Sequence, residues 1–406
     1  MLAALAWRNL WRRPQRTILS LASIAIVSGL LVFVLSFQNG VYATMIETTL
    51  GIMDGDAELQ PVGYAADPTL DKTIADPERL IGGAEAVAGV RAAAPRINGF
   101  AILSSGPRSY AAAVIGVDPA AEARVSSIGA RISVGRYLAP GDQARAVLGD
   151  LLARNLGVGV GGKVTMLSSA ADGSVAADVL GVVGVYHTGI PDLDRSILEM
   201  PLARAQETFG MAGQANTIAL GGRSLSGVDR ALPRLGRLAR RNGIVVRDWR
   251  EMEPALADAI DLKYGTAMLF YATLVLVVAF IILNTLLMSV LERTREFGTL
   301  LALGMRPAQV GAMVWIELLG LGLIGCGAGI AVGSAITLWL QSQGIDFPID
   351  PKLLAQFGVP SRLYPALSAS SALAGPGTLF AAIMVGGVVP FLRVTGLTPA
   401  IAMRAP

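Results

Sequence analysis

Three places in this chain carry residue types that could do chemistry. Gly157-Val158-Gly159-Val160-Gly161-Gly162-Lys163-Val164 nearly spells a phosphate-binding loop. In such a loop backbone N–H groups cradle the phosphates, the lysine reaches toward them, and a following Ser or Thr hydroxyl holds Mg²⁺. Val164 stands where that hydroxyl is needed, and a predicted helix precedes the segment, so it reads as a turn between helix and strand. His187, in Tyr186-His187-Thr188-Gly189, is the only histidine and follows a predicted strand. No Ser/His/Asp set or carboxylate pair stands out around it, so it reads as a turn residue and not as a general base. With one histidine and one cysteine, Cys326, the chain predicts neither a zinc site of the His/Cys kind nor a disulfide. Glu317, near the start of an apolar run, is expected to reach an interface or to pair with a nearby arginine. Asn284, midway along another run, is expected to donate a hydrogen bond between helices. The reading is of a chain that is no enzyme, with no catalytic, cofactor-binding or metal-ligating residue of its own.

The informative residues lie instead in Glu292-Arg293-Thr294-Arg295-Glu296-Phe297-Gly298-Thr299-Leu300-Leu301-Ala302-Leu303-Gly304-Met305-Arg306, between two apolar runs. Residues 264–291 carry no charged side chain, and neither do residues 318–345. Roughly 20 apolar residues cross a bilayer as a helix, so each run is long enough. The charged segment is then a short element at one membrane face, and Arg293, Arg295 and Arg306 mark that face as cytoplasmic.

The bulk composition agrees. Mean hydropathy is +0.56, 53% of residues are hydrophobic and only 16% are charged. The apolar excess concentrates in residues 17–37, 264–291, 308–340 and 372–392, predicted as four spans. The net charge of +3 does not indicate nucleic-acid binding, because of how it is distributed. Residues 1–16, 292–306 and 393–406 hold nine arginines and two glutamates, whereas residues 38–263 hold 22 Lys/Arg against 25 Asp/Glu. The basicity is therefore an orientation signal. Residues 1–16 predict an amphipathic cytoplasmic helix, with Trp7, Arg8, Trp11 and Arg12 as membrane-interface anchors on the lipid surface. Pro14 marks a break before the first span, read as an uncleaved anchor because its apolar stretch exceeds a signal-peptide core. Both termini are then cytoplasmic, with 292–306 and the tail 393–406 inside. Residues 38–263 and the loop 341–371 lie outside.

The expected fold class is an α-helical membrane protein with four transmembrane helices and a large extracytoplasmic α+β domain between the first two. Within that domain Ala111–Val117 and Val179–Val185 predict strands, and Arg145–Leu156 and Leu202–Phe209 predict helices. Val228–Arg241, with five arginines, predicts a solvated helix face. Gly325, Gly329 and Gly333 repeat every four residues along one face of the third span. They suit close helix packing, either within one subunit or at a dimer seam.

The layout of one span, a large domain and three more spans resembles the permease family that includes FtsX, the macrolide exporter MacB and the lipoprotein-releasing LolC and LolE. Glu292 through Gly304 is similar to that family's ERTREIGTLRALG segment, with Leu301 where arginine is common. Arg8-Asn9-Leu10, Arg12 and Arg16-Thr17 resemble its basic start, and Thr398-Pro399-Ala400 with Arg404 its tail. Ser36-Phe37-Gln38-Asn39-Gly40 and Thr188-Gly189 with Asp192 and Asp194 are similar to the lipoprotein-release branch. The resemblance implies a mechanotransmission-type permease subunit of the bacterial inner membrane. In it Glu292, Arg293, Thr294, Arg295, Glu296, Phe297, Gly298, Leu303 and Gly304 form a coupling helix on a separate cytoplasmic ATPase dimer, and that partner binds the ATP and Mg. A second permease copy or a paralogue would complete the unit. The substrate would be a lipoprotein or another hydrophobic envelope molecule, with a periplasmic or outer-membrane protein receiving it. The family also implies two alternatives: a non-transporting regulator of an envelope enzyme, and an efflux permease.

Overall fold

The computed structural model describes residues 8, 11–12, 14–53, 55–222, 224–346 and 362–396. Trp7, residues 347–361 and the tail positions Thr398, Pro399, Ala400 and Arg404 lie outside them. The chain divides into two compact units. One holds the long helices, and the other is the inter-span domain Thr44–Ala259.

Among the described residues, four helices are long and apolar enough to cross a membrane: Thr17–Ile46, Pro254–Glu292, Pro307–Gln343 and Ala369–Thr395. Leu19, Ile26, Phe270, Phe280, Leu338 and Trp339 stand exposed on them, an apolar surface suited to lipid and costly in water. The fourth is interrupted at Gly387, between helices Ala369–Gly386 and Val388–Thr395. Pro390, which has no N–H to give, follows shortly after.

The spans pack through small residues. A Cβ on Gly333 would lie 2.7 Å from Gly29 Cα, and one on Gly325 would lie 2.7 Å from Ile24 Cβ. A Cβ on Gly329 would overlap Ser28. The glycine face of the third span is therefore occupied by the first span of the same chain, which makes it a packing face and not an open dimer seam. Ser28 Oγ donates to the carbonyl of Cys326 at 3.3 Å across that contact. The fourth span closes the bundle, with Gly375 on Leu31 and Phe380 on Gly322. Asn284 departs from expectation. Its side chain lies on the exposed surface of the second span and finds no hydrogen bond within the described residues.

The inter-span domain is built on β1 Ala57–Pro61, β2 Val90–Ser105, β3 Arg108–Val117, β4 Ile132–Gly135, β5 Arg145–Gly149, β6 Lys163–Ser169, β7 Val175–Tyr186, β8 Ile197–Pro201, β9 Thr217–Gly222 and β10 Ile244–Asp248. They form one sheet in the order β10-β1-β9-β2-β3-β8-β5-β7-β4, with β6 bridging β2 and β7. β3 turns from β2 through Gly106-Pro107, where a φ of 58° at Gly106 suits the two-residue hairpin. Most pairs are antiparallel, but β3 runs parallel to β8 and β5 parallel to β7.

Leu202–Phe209 is a helix as expected, and the predicted strands Ala111–Val117 and Val179–Val185 fall within β3 and β7. The predicted helix Arg145–Leu156 is corrected. Its first half is strand β5, with Ala146, Val147 and Leu148 fully buried, and only Asp150–Leu156 is helical. A strand covered on both faces lacks the alternation that separates strand from helix in sequence. The glycine-rich segment after it is the expected turn, opening at Gly157 with φ 67° and leading into β6. The arginine-rich segment is helix Leu225–Arg241. Its arginines are exposed, but Val228, Ala231, Leu235 and Ala239 are buried on the core.

One charged cluster sits inside this domain. Arg96 Nε donates to Glu122 Oε2 at 3.0 Å, and its Nη2 donates to the Met53 carbonyl. Tyr137 donates its hydroxyl to Glu199 Oε2 at 2.8 Å, while Glu199 Oε1 is buried without a partner among the described residues. Burial, with Glu122 nearby, pushes the Glu199 carboxyl up to about 8 from 4.5. The folded state thus holds a proton that the unfolded chain releases above pH 4.5. Its contribution to stability is fully present below that pH and is lost as the pH rises toward about 8. Glu199→Gln should flatten the fall in melting temperature between about pH 5 and 8, measured on the full chain in detergent.

The glycine contact gives a second prediction. Gly329→Val should destabilise the chain by about 1–3 kcal/mol in detergent unfolding. Gly327→Val, at an exposed position with no atom near its added Cβ, should leave stability unchanged.

Candidate functional site

The charged segment between the second and third spans folds into helix Thr294–Ala302. Phe297, Gly298 and Leu301 face inward. Phe297 and Leu301 join Val290, Val310, Met313, Val314 and Val394 in a small core of their own. This burial seats the helix on the span ends and turns Arg295, Glu296 and Thr299 outward. The chain then reverses at Gly304, whose φ of 95° is a conformation that glycine adopts without strain. Arg306 N donates to Gln309 Oε1 at 3.0 Å as the third span begins. Leu303, beside the reversal, is 79% exposed, the outermost apolar side chain of the segment.

Arg293 ties this helix down. It contacts Glu317 at 3.2 Å and Glu296 at 3.5 Å, and lies 5.4 Å from the Phe297 ring centre. The Arg293 and Glu317 side chains are only 15% and 12% exposed. Glu317 therefore pairs with an arginine of this segment, as expected from its position. Arg12, from the segment before the first span, reaches Glu296 at 3.2 Å. Arg8, Trp11 and Arg12 are all exposed. Arg12, Glu296, Arg293 and Glu317 thus form a chain of alternating charge joining the N-terminal segment, the short helix and the third span.

A second feature was not foreseen from the sequence. Between the first and second spans lies a groove of about 500 Å³ lined by Val34, Phe37, Val41, Leu262, Phe270 and Ala267, with Lys263 and Thr266 on its wall. A polar clasp crosses it. The Tyr271 hydroxyl donates to Gln38 Oε1, Gln38 Nε2 donates to the Tyr42 hydroxyl at 2.8 Å, and the Tyr264 hydroxyl donates to Asn39 Oδ1 at 2.8 Å. The Tyr42 and Tyr264 rings lie 5.0 Å apart. The signal in the sequence was Gln38-Asn39 with Tyr42 one turn on, matched by Tyr264 and Tyr271 two turns apart. A mostly apolar groove with a few fixed polar groups and one lysine suits an amphiphile with an aliphatic body.

Two family descriptions account for nearly all of the chain. Residues 17–233 match the MacB-like periplasmic core domain, and residues 268–399 match the FtsX-like permease C-terminal domain. The chain belongs to the FtsX/MacB/LolC–LolE permease family. This permease is 26% identical over 324 residues to the lipoprotein-releasing system transmembrane protein LolC of Neisseria meningitidis serogroup B, covering 78% of this chain and 76% of that one. It is 27% identical over 369 residues to the LolE protein of Haemophilus influenzae, covering 86% of each. It also aligns with a crystal structure of the periplasmic region of MacB from Actinobacillus actinomycetemcomitans at 12% identity and a TM-score of 0.37, covering 52% of this chain and 97% of that one.

Within the permease the Arg293–Glu317 pair is more than a surface contact, because both partners are largely withdrawn from water. Removing one partner strands the other. Glu317→Gln should cost about 3 kcal/mol of stability, and the double variant Arg293→Gln/Glu317→Gln should recover part of it in a thermal-unfolding double-mutant cycle.

Proposed function

We propose that this permease is the membrane half of an ATP-driven exporter of the bacterial inner membrane that takes up lipid-modified protein. The observation that carries the reading is the groove between the first and second spans. Its apolar lining accepts acyl chains, while Lys263 and the tyrosine clasp offer partners for the polar end of the same molecule. The relatives LolC and LolE, named for lipoprotein release, support this substrate class.

The helix Thr294–Ala302 is the contact for a cytoplasmic ATPase dimer, which binds the ATP and Mg while this chain holds no nucleotide. Glu292, Arg295, Glu296, Leu303 and Gly304 meet the partner. Phe297 and Gly298 seat the helix, Thr294 closes its first turn, and Arg293 joins it to the third span. Both termini lie in the cytoplasm with this helix, and the inter-span domain faces the periplasm. A second permease, either a copy or a paralogue, completes the unit. Closure of the ATPase shifts the short helix, and the third span carries that shift to the first span through the glycine contact. The energy comes from nucleotide binding differently to two arrangements of the complex.

The test uses the full chain co-expressed with its ATPase and a palmitate-labelled lipoprotein. A photo-crosslinking residue at Phe270 should capture the lipoprotein, and the captured fraction should fall several-fold when ATP is added. Glu296→Arg should abolish that ATP response while capture without ATP persists. Failure of Phe270 to capture labelled lipoprotein overturns the substrate assignment, and an intact ATP response in Glu296→Arg overturns the coupling role.

A further inference from the structure

The inter-span domain brings the chain's only histidine against two carboxylates, Asp194 seven residues on and Asp150 thirty-seven residues before it. Gly149 and Tyr186 pair at the ends of the parallel neighbours β5 and β7. Asp150 and His187, which follow those two residues, therefore emerge side by side at the carboxyl ends of β5 and β7. The third member, Asp194, belongs to helix Pro191–Ser196 just before β8. That helix comes close only because residue 149 is glycine: a Cβ there would lie 2.6 Å from Asp194 Cα.

His187 Nδ1 lies 3.1 Å from Asp194 Oδ2 and 3.4 Å from Asp150 Oδ2. The three ligand atoms all lie within 4.8 Å of one another. Asp194 is otherwise fully engaged. Its Oδ1 accepts from Thr188 N and Thr188 Oγ1, each at 2.8 Å, and its Oδ2 accepts from Gly189 N at 3.3 Å. Asp150 is not. Its Oδ2 also meets Arg154, but its Oδ1 is buried with no hydrogen-bond partner among the described residues. One imidazole nitrogen carries at most one hydrogen, so it serves only one of the two carboxylates that face it.

We propose that Asp150, His187 and Asp194 form a binding site for a divalent first-row transition cation, of which zinc is the best match. Ligand atoms about 2.0–2.1 Å from a tetrahedral zinc stand roughly 3.3–3.4 Å apart, close to the two separations that His187 Nδ1 makes. The imidazole nitrogen selects such a metal over magnesium or calcium, which prefer oxygen alone. Two carboxylates supply more charge than the single arginine beside them offsets. Arg154 is 70% exposed, and a surface pair of that kind gives way at little cost. Three protein ligands leave the fourth position to water, and His187, 59% exposed, leaves the site open to solvent. The bound ion fastens the turn 187–190 and helix Pro191–Ser196 to the end of β5. This site is independent of the export reading.

The experiment titrates zinc chloride into the full chain, purified in detergent without a polyhistidine tag and stripped with chelator, and follows heat and the signals of the single imidazole. One zinc per chain should bind, with the His187 ring signals shifting as it does. His187→Ala should abolish that binding, and Asp150→Asn should weaken it by at least about tenfold while the metal-free melting temperature stays that of the unaltered chain. Asp194 is left intact because it also holds Thr188 and Gly189. Absence of stoichiometric zinc binding, or unaltered binding in both variants, overturns the site.

Discussion

The contact on which the spanning unit depends is the meeting of two backbones at Gly29 and Gly333. No hydrophobic force draws helices together inside lipid, so association rests on close packing and on the few hydrogen bonds that closeness permits. Gly325, Gly329 and Gly333 remove the side chains that would hold the third span away from the first, and Ser28 then bonds to the Cys326 carbonyl. A helix pair packed at backbone distance has no compressible layer between its members. The third span is also the helix that begins at the charged segment.

Charge is used sparingly and at defined depths. Three ion pairs of the spanning unit gather around the short helix, where Arg12 reaches Glu296 and Arg293 is shared between Glu296 and Glu317. The inter-span domain buries a different set, in which Arg96 neutralises Glu122 and Glu199 keeps its proton beside Tyr137. Both arrangements follow one rule. A carboxylate withdrawn from water needs a cation or a proton, and each of these acids has one.

Much of this organisation was legible in the sequence, because its signals are local. Four uncharged runs declare the spans, and the arginines flanking them mark one face. The family segment Glu292–Gly304 stands out because charge is rare around it. The rest depended on pairing between distant residues. Arg145–Leu156 reads as one helix because Ala146, Val147 and Leu148 are covered on both faces as β5 and so show no alternation. Asn284 reads as an interhelical donor, yet its side chain points away from the bundle. His187 looks solitary because Asp150 meets it only through the parallel pairing of β5 with β7, and Asp194, seven residues on, only through the turn at Thr188 and Gly189. The groove was missed because its polar residues sit in two spans more than two hundred positions apart.

The central claim is that the short helix and the third span move as one body. Cys326 is buried, so spin labels can be attached selectively to cysteines introduced at the exposed positions Thr299 and Leu323. The distance between the two labels is measured in the assembled complex with ATP bound and after nucleotide release. The account predicts an unchanged distance between these labels, while a label on the ATPase shifts relative to Thr299. A change of several ångströms between Thr299 and Leu323 would contradict it, because the Arg293–Glu317 tie would then give way during the cycle.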